Sequence, residues 1–246
     1  MNQSFKPFLR QNYWKSDVHG AAENLLQRLH SEQKTLHVVT LTSEMVLHAI
    51  KNPEVMSAIL SSDFIVADTI SLTFWLKTNK IPVCRVTGID LAEQIIRHAQ
   101  KPRVGIIGGV TERIRAKAAE KINDFGGIVS VTNKGPRIFS YTTVDDAEII
   151  AELNEKKPQI ILVAFGHGKQ EWWISKIKKQ LSFPAIIIGV GGTIDVWGGE
   201  FTRAPHFVRA VGFEWFWRLI QEPKRVRRII DAVIVFPYRA FLENLL

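Results

Sequence analysis

The feature that most constrains the fold is a series of short β-branched runs separated by longer segments with helical periodicity. The runs lie at residues 37–40, 64–67, 104–107, 160–164 and 185–188. Strands that alternate with helices are typical of a parallel sheet whose two faces are both covered, and such strands are apolar along their whole length. The pattern therefore predicts an α/β fold with a mostly parallel, Rossmann-like sheet flanked by helices.

Two segments carry signals for the start of a helix. Asn52 precedes Pro53, which suits the first helical position, and Asp145-Asp146 precedes a segment with apolar periodicity that ends before Pro158. We interpret these carboxylates as helix caps rather than catalytic groups. We also expect an α/β core over residues 1–202, with a lobe boundary near residue 100, where a helix-like stretch ends and a strand begins.

Residues 203–246 differ in character from the core because basic and aromatic residues alternate there. This segment holds eight basic and four acidic residues, in a chain whose formal net charge is +8. At helical spacing Phe213, Phe216, Trp217 and Ile220 share one face. The pattern predicts a helical C-terminal appendage, and both docking on the core and contact with a membrane are compatible with it.

The basic surplus is compatible with nucleic acid, an anionic membrane or a phosphate-bearing substrate as the partner. Cys84 is the only cysteine, so the chain cannot form an internal disulfide and suits a reducing cytosol. The first ten residues lack the apolar core of a secretory signal, and no apolar run approaches the length of a membrane span. We therefore expect a cytoplasmic location.

Two segments place glycines and polar side chains directly after apolar runs, at residues 165–174 and 186–195. Parallel-sheet proteins build ligand sites at these positions, so we expect Gln170 and Glu171 to face a crevice that holds a nucleotide. A third glycine turn, ending at Gly109, could bind a phosphate at the start of the next helix. It only partly matches a dinucleotide fingerprint, so a structural turn is the alternative.

Asp68 and Arg85 are the candidate charged residues near the predicted crevice. Asp68 follows an apolar run, where its carboxylate could cap a helix or act as a general base, and spacing alone favours the cap. Arg85 could bind a diphosphate through its forked guanidinium or form a surface salt bridge. The histidines show no metal-ligand spacing along the chain, so we expect no metal and no cofactor.

Several blocks, taken in order, resemble the WecG/TagA/CpsF family of bacterial glycosyltransferases. The resemblance covers residues 40–228, and its specificity comes from the ordered set rather than from one block. The blocks are residues 40–45, 67–68, 85–91, 166–174 with Lys169-Gln-Glu171, 189–192 with Asp195, 199–205 with Arg203-Ala-Pro205, and 212–223 with Gly212-Phe-Glu-Trp215.

The resemblance implies an inverting, metal-independent transfer of a sugar from a UDP-sugar to a polyprenyl-diphosphate-linked saccharide in surface polysaccharide synthesis. By this resemblance Asp68 is the catalytic base, which reverses the preference for a cap, and Arg85 stabilises the departing UDP. Asp195 would hold the uridine ribose. The candidate donor and nucleotide residues are Thr40, Thr42, Gly109, Gln170, Glu171, Gly191 and Asp195.

In the family, basic residues after the core recruit the enzyme to the membrane and complete the site over the lipid diphosphate. The matching candidates here are Arg218, Arg225 and Arg228, with Trp215 and Trp217 suited to the membrane interface. The resemblance thus favours membrane contact over simple docking of residues 203–246. It implies a peripheral protein on the inner face of the cytoplasmic membrane, and leaves a homo-oligomer open.

The chain departs from the family pattern at three positions. Thr42 stands where the family usually has asparagine, Thr69 follows Asp68 where the family usually has glycine, and Gly168 stands where proline is common. Because that asparagine contacts the donor sugar, the donor is left open between N-acetylmannosamine, another hexose and a hexuronic acid.

Two other functions remain as alternatives. A nucleotide-dependent oxidoreductase could use the turn at residues 105–109, although no second fingerprint supports a nicotinamide site. A non-enzymatic module could bind nucleic acid or an anionic membrane through residues 224–228. That alternative gives no role to Asp68, Gln170 and Asp195, so we expect a UDP-sugar, a polyprenyl-diphosphate-linked acceptor and a membrane surface as partners, and no nucleic acid.

Overall fold

The computed structural model describes residues 4–142, 144–205, 208, 214–223 and 226–245, without the side chains of Arg218, Asn244 and Leu245. Six strands form one sheet in the order β2-β1-β6-β5-β3-β4, and every neighbouring pair is parallel. This confirms the predicted α/β class. The strands are β1 (Leu36–Leu41), β2 (Phe64–Ala67), β3 (Arg103–Gly108), β4 (Ile128–Asn133), β5 (Ile160–Ala164) and β6 (Ile186–Gly189).

Five of these strands match the predicted runs, and β4 was missed. The strands β1, β2 and β6 are buried at every position, whereas β4 lies at the edge of the sheet with only Val131 fully buried. The strand β2 also lies at an edge, but all of its residues are buried, whereas Ser130, Thr132 and Asn133 interrupt the apolar pattern of β4 and weaken its signal.

Helices cover both faces of the sheet in the part of the chain that the structure describes. They are α1 (Lys6–Leu9), α2 (Val18–Glu32), α3 (Ser43–Ala49), α4 (Pro53–Leu60), α5 (Ile70–Thr78), α6 (Gly88–His98), α7 (Glu112–Asp124), α8 (Ala147–Lys156), α9 (Lys169–Ile177), α10 (Thr193–Trp197), α11 (Glu214–Gln221), α12 (Val226–Ile230) and α13 (Phe236–Leu245).

The core is divided by the sheet into two layers. On one face α2, α6 and α7 pack against the strands through residues such as Leu25, Ile95 and Ile122. On the other face α3, α4, α5 and α13 share one apolar cluster, and α8 and α9 share a second. The strands before and after residue 100 belong to one sheet, while the division into residues 1–202 and 203–246 stays a prediction.

Several helices begin at residues whose side chains bind backbone amides. Thr42, Thr87 and Thr111 each accept a hydrogen bond from the amide three residues further on, which typically contributes about 1 kcal/mol. Asn52 precedes α4 as predicted. Asp146 also holds the position before its helix, but its carboxylate instead accepts a hydrogen bond from the buried indole of Trp173 at 2.9 Å.

The C-terminal helices run along the second face and return to the N-terminus. Between α12 and α13 the chain continues through a π-helical turn at Asp231–Val235. Phe236 is fully buried and stacks on Phe5 at 5.2 Å, and the Glu243 carboxylate accepts a hydrogen bond from the Phe5 amide at 2.7 Å. None of the helices in the described part of the chain combines the length and apolar character that crossing a bilayer requires.

Candidate functional site

A cavity of about 440 Å³ lies at the carboxyl ends of β1, β2 and β6. The helix that follows β1, α3, packs on one face of the sheet, whereas the helix that follows the neighbouring strand β6, α10, packs on the other face through Ile194, so the chain turns to opposite faces after these two strands. Open parallel sheets bind ligands at such a position. The side of the cavity away from the sheet is formed by α11, α12 and the π-helical turn.

Asp68 follows β2 directly and lines this cavity. The residue in the capping position before α5 is Thr69 rather than Asp68. Its Oδ2 accepts a hydrogen bond from the Gly88 amide, the first of α6, at 2.8 Å. The start of a second helix therefore orients the carboxylate at the cavity floor.

Arg85 lies beside Asp68 because the chain returns to the end of β2. An isolated β-bridge joins Arg85 to Ala67, and Arg85 Nε donates a hydrogen bond to the Asp68 carbonyl oxygen at 2.7 Å. The guanidinium also forms a salt bridge with Glu214 of α11, with Nη2 3.0 Å from Oε2. A cation and a carboxylate thus lie together at one end of the cavity, under a helix of the C-terminal segment.

Gln170, at the start of α9, is 2 % exposed and reaches into the cavity. Its Oε1 accepts a hydrogen bond from the Gly191 amide at 3.1 Å, and its Nε2 donates to Glu171 Oε1 at 2.8 Å. A side chain on Gly189 would approach Gln170 Nε2 within 2.5 Å. Glycine at that position lets the Gln170 amide lie against the end of β6.

Glu171 is fully buried behind Gln170 and is outside the set of residues that line the cavity. Its Oε2 accepts a hydrogen bond from the Gly168 amide at 2.8 Å. Burial raises the pKa of Glu171 to about 7, against the hydrogen bonds from Gln170 and Gly168 that lower it. In the structure Glu171 contacts and orients Gln170, and its contact with a ligand stays a prediction.

Thr40 and Thr42 lie at the end of β1 and both line the cavity. Thr40 Oγ1 donates a hydrogen bond to the Gly189 carbonyl oxygen at 3.0 Å, while the Thr42 side chain accepts from the Met45 amide. Gly88 packs against Thr40, since a Cβ there would be 3.0 Å from Thr40 Oγ1. The residue that holds the Asp68 carboxylate is thus in contact with β1.

The cavity brings together seven of the predicted residues. These are Thr40, Thr42, Asp68, Arg85, Gln170, Gly191 and Arg228. Gly109 and Asp195 are outside the set of cavity-lining residues: Gly109 follows β3 and accepts a hydrogen bond from Arg115, and Asp195 lies in α10. Arg225 and the Arg218 side chain lie outside the described residues.

Sequence reasoning missed further residues that line the cavity. Glu44 and His167 approach each other, with Oε2 and Nδ1 3.7 Å apart, and both belong to segments that the motifs had already marked. Ile70 and Phe74 line the cavity while remaining 46 % and 69 % exposed. These two apolar residues of α5 carried no sequence signal, because their exposure depends on how α5 meets the C-terminal helices.

The cavity has cations and amide donors for anionic groups. Arg85, Arg203 and Arg228 all line it, and Arg203 Nη2 lies 2.6 Å from Asp90 Oδ2. Within the described residues, the carboxylates and imidazoles of the cavity form no group of three that could hold a metal ion. The arrangement can place a carboxylate beside a nucleophilic hydroxyl and guanidinium groups beside a phosphate.

The chain is similar to a known family of glycosyltransferases. The family described as "Glycosyl transferase WecG/TagA/CpsF family" matches residues 7–246. The chain is 28 % identical over 233 residues to the N-acetylglucosaminyldiphosphoundecaprenol N-acetyl-beta-D-mannosaminyltransferase of Bacillus spizizenii, covering 92 % of this chain and 87 % of the relative. It is 27 % identical to the protein of the same name from Staphylococcus aureus (strain MW2), over 83 % of this chain and 79 % of the relative.

Proposed function

From the premise that the chain belongs to the WecG/TagA/CpsF family and is a glycosyltransferase, we propose that it transfers a sugar from UDP to a polyprenyl-diphosphate-linked saccharide. The relatives are named for transfer of N-acetylmannosamine to N-acetylglucosaminyldiphosphoundecaprenol. We extend to this chain the class of acceptor in that name, with inversion at the anomeric carbon and no metal in the transfer step.

The observation that carries the proposal is the Asp68 carboxylate in a cavity that also presents Arg85. Asp68 would remove the proton from the acceptor hydroxyl as that oxygen attacks the anomeric carbon. The Gly88 amide fixes one carboxylate oxygen, so the base keeps its orientation before the acceptor arrives.

Arg85 and Arg228 are the cations that we assign to the departing UDP. Negative charge grows on the diphosphate as the glycosidic bond breaks, and preorganised cations stabilise it best where water is partly excluded. Arg85 is half-buried, with 26 % of its side chain exposed, and its Nε is already bound to the Asp68 carbonyl oxygen. The position of its guanidinium is therefore fixed before a ligand arrives, and a phosphate oxygen would replace Glu214 at Nη2.

A lipid-linked acceptor is supported by the apolar residues around the cavity. Ile70 and Phe74 of α5 are exposed where they line it, and so is Val233 of the π-helical turn. Along residues 226–245 the exposed apolar side chains recur at helical spacing; they are Val226, Ile230, Val233, Ile234, Tyr238, Phe241 and Leu242. An apolar stripe beside basic residues is typical of helices that lie in a membrane interface.

We therefore propose residues 203–246 as a membrane-associating appendage that places the cavity on the cytoplasmic face of the membrane. Arg228 lines the cavity on one side of its helix, while Val226 and Ile230 are exposed on the other. One helix would thus bind both the lipid surface and the diphosphate of the acceptor. A cation near an anionic surface adds about 1 kcal/mol to this attraction.

Thr42 is the candidate residue for selecting the donor sugar. Its side chain accepts a hydrogen bond from the Met45 amide and so caps α3. An asparagine there would have a longer side chain that could offer an amide donor to the cavity. A panel of UDP-sugars with a short-chain polyprenyl-diphosphate-GlcNAc acceptor identifies the donor by UDP release. If only N-acetylmannosamine is transferred, and Thr42→Asn leaves that preference unchanged, Thr42 has no role in selection.

The central test compares Asp68→Asn with Asp146→Asn. Asp146 is a matched control because its carboxylate accepts one hydrogen bond, from Trp173, outside the cavity. We expect Asp68→Asn to lower kcat by about 10²-fold or more while UDP still raises the melting temperature, since loss of a general base slows chemistry without removing the diphosphate contacts. Equal activity of the two variants, or no binding of UDP by the unaltered protein, contradicts the proposal.

A further inference from the structure

A group of three potential metal ligands lies on the opposite side of the sheet from the C-terminal helices. His19 and Glu23 are one turn apart on α2, and His98 ends α6, which packs beside α2. The ligand atoms of the three side chains all lie within 4.8 Å of one another. None of them lines the cavity at the carboxyl end of the sheet.

The spacing of the two imidazoles suits a hydrogen bond between them and equally suits a metal ion that both rings bind. The Nε2 atoms of His19 and His98 are 3.3 Å apart, and the rings are nearly perpendicular, at 89°. Two nitrogens that bind one tetrahedral zinc ion at 2.0–2.1 Å are separated by about 3.4 Å. The positions of the two side chains therefore need almost no change to bind one ion.

A hydrogen bond also prepares His98 as a ligand. Its Nδ1 lies 2.7 Å from the carbonyl oxygen of Gln94, one turn earlier on α6. A carbonyl accepts, so the proton is on Nδ1, and Nε2, 3.3 Å from His19 Nε2, keeps the lone pair that can bind a metal. Metal-binding histidines in proteins are typically held in this way by a carbonyl or carboxylate.

We propose that His19, Glu23 and His98 form a binding site for a divalent transition metal of the zinc class. Two imidazoles and one carboxylate suit zinc and its neighbours, whereas calcium and magnesium prefer oxygen ligands throughout. Water completes the tetrahedron at this surface position. The metal would link α2 to α6, and it takes no part in sugar transfer.

The position of His98 on α6 gives this link a structural role. The opposite end of the helix is Gly88, whose amide holds the Asp68 carboxylate. Joining residues 19 and 98 closes a long loop in the unfolded chain and stabilises the folded pair of helices. The inference does not depend on the identity of the sugar substrates.

The test is titration of the metal-free protein with ZnCl₂, by calorimetry and by thermal unfolding. We expect one ion per chain and a higher melting temperature, and a Co²⁺ complex with the intense visible absorption of tetrahedral coordination. His98→Ala and His19→Ala should each weaken binding more than about tenfold. The matched control is His30→Ala, because His30 also lies on α2 with its Nδ1 2.7 Å from a carbonyl, that of Leu26.

The proposal is overturned if the unaltered protein binds no Zn²⁺, or if His98→Ala and His30→Ala bind it equally. Melting temperatures measured in EDTA separate loss of the site from loss of folding, since all of the variants should match the unaltered protein there. Should one histidine variant fold poorly, Glu23→Gln takes its place, with weaker Zn²⁺ binding expected. Unchanged Zn²⁺ binding in that variant would show that Glu23 is not a ligand and would overturn the proposed site.

Discussion

Gly168 shows how a single residue controls the loop before Gln170. Its φ of +79° is a conformation that proline cannot adopt, and a Cβ there would lie 2.6 Å from His48 Cδ2 and 2.9 Å from the Tyr141 hydroxyl. His48 and Tyr141 are themselves hydrogen-bonded, at 2.6 Å. The proline that is common at this position in the family is therefore incompatible with this loop conformation.

We expect Gly168→Ala to lower the free energy of unfolding by about 2–4 kcal/mol, because it combines left-handed strain with steric overlap. Gly166→Ala is the matched control: its φ is +84°, but a Cβ there has nothing within 4 Å. Strain alone should cost the control about 1 kcal/mol. Urea unfolding of both variants checks this, and equal losses would show that the contact with His48 is unimportant.

His37 is a buried histidine whose two ring nitrogens have no hydrogen-bond partner within the described residues. Burial lowers its pKa to about 3, with a further contribution from the nearby Lys178 cation. The unfolded chain therefore binds a proton that the folded chain rejects between pH 6.5 and 3. Neutral His37 is tolerated in the core without a loss of stability above pH 6.5, and the free energy of unfolding decreases as the pH falls below that value.

Replacing His37 with phenylalanine should remove this loss. Between about pH 6.5 and 5 the free energy of unfolding of the unaltered protein should fall by about 2 kcal/mol more than that of His37→Phe. Urea unfolding at the two pH values measures the difference, and the opposite contribution of Glu171 cancels because both proteins retain it. The exposed variant His30→Phe should behave like the unaltered protein. Parallel pH dependences for His37→Phe and the unaltered protein would contradict the assignment.

At the scale of elements, α11 lies over Arg85 and places a carboxylate where a diphosphate is proposed to bind. Glu214 Oε2 is 3.0 Å from Arg85 Nη2, and both side chains are about one quarter exposed. Such a partly exposed pair contributes only about 0–1 kcal/mol to stability. Its effect on an anionic ligand is different, because the carboxylate competes for the guanidinium and repels the phosphates.

We expect Glu214→Gln to bind UDP about two- to fivefold more tightly, as measured by calorimetry. Glu200→Gln is the control, since Glu200 forms an exposed salt bridge with Arg113 outside the cavity. Equal or weaker binding of UDP by Glu214→Gln would mean that Glu214 supports the ligand rather than competing with it. The unfolding free energy of both variants should change by less than about 1 kcal/mol.

The elements that sequence analysis could predict are those with a local cause. Five strands were found because their buried residues form apolar runs, and β4 was missed because polar residues interrupt its sequence. The residues after β2, β5 and β6 were placed at the site by their position behind a strand, whereas Thr40 and Thr42 were assigned through the family resemblance. The contact of Asp68 with Gly88, twenty positions away, depends on how α6 packs, so no local pattern contains it. Likewise His19 and Glu23 share a helical spacing, but His98 joins them only through folding.

At the scale of the whole molecule, charge and apolar surface combine on the C-terminal segment. The exposed stripe along residues 226–245 includes Ile234 and Phe241, which are 61 % and 62 % exposed. Burying one such side chain in an interface contributes about 1.5–3 kcal/mol, and the basic residues add an attraction that salt weakens. The molecule is therefore expected to bind anionic vesicles through this segment.

Co-sedimentation with vesicles of phosphatidylglycerol tests this expectation. Ile234→Glu together with Phe241→Glu should lower the bound fraction by at least about tenfold and leave UDP binding unchanged. Phe139→Glu is the control, because Phe139 is 89 % exposed but lies outside the C-terminal segment. Equal sedimentation of the two proteins would assign membrane binding to another surface.

The π-helical turn at Asp231–Val235 sets the directions in which the side chains before it point, relative to those after it. Each residue of an α-helix rotates the chain by about 100°, and a π turn takes one residue more than an α turn. Phe236 is locked into the core after this turn, so the turn determines the direction in which every earlier residue of the helix points. Without that extra residue, Arg228 would be carried about a quarter turn around the helix axis, away from the cavity. The one extra residue in the π turn thus sets the rotation of the segment before it, which contains Arg228, relative to the segment after it, which Phe236 anchors in the core.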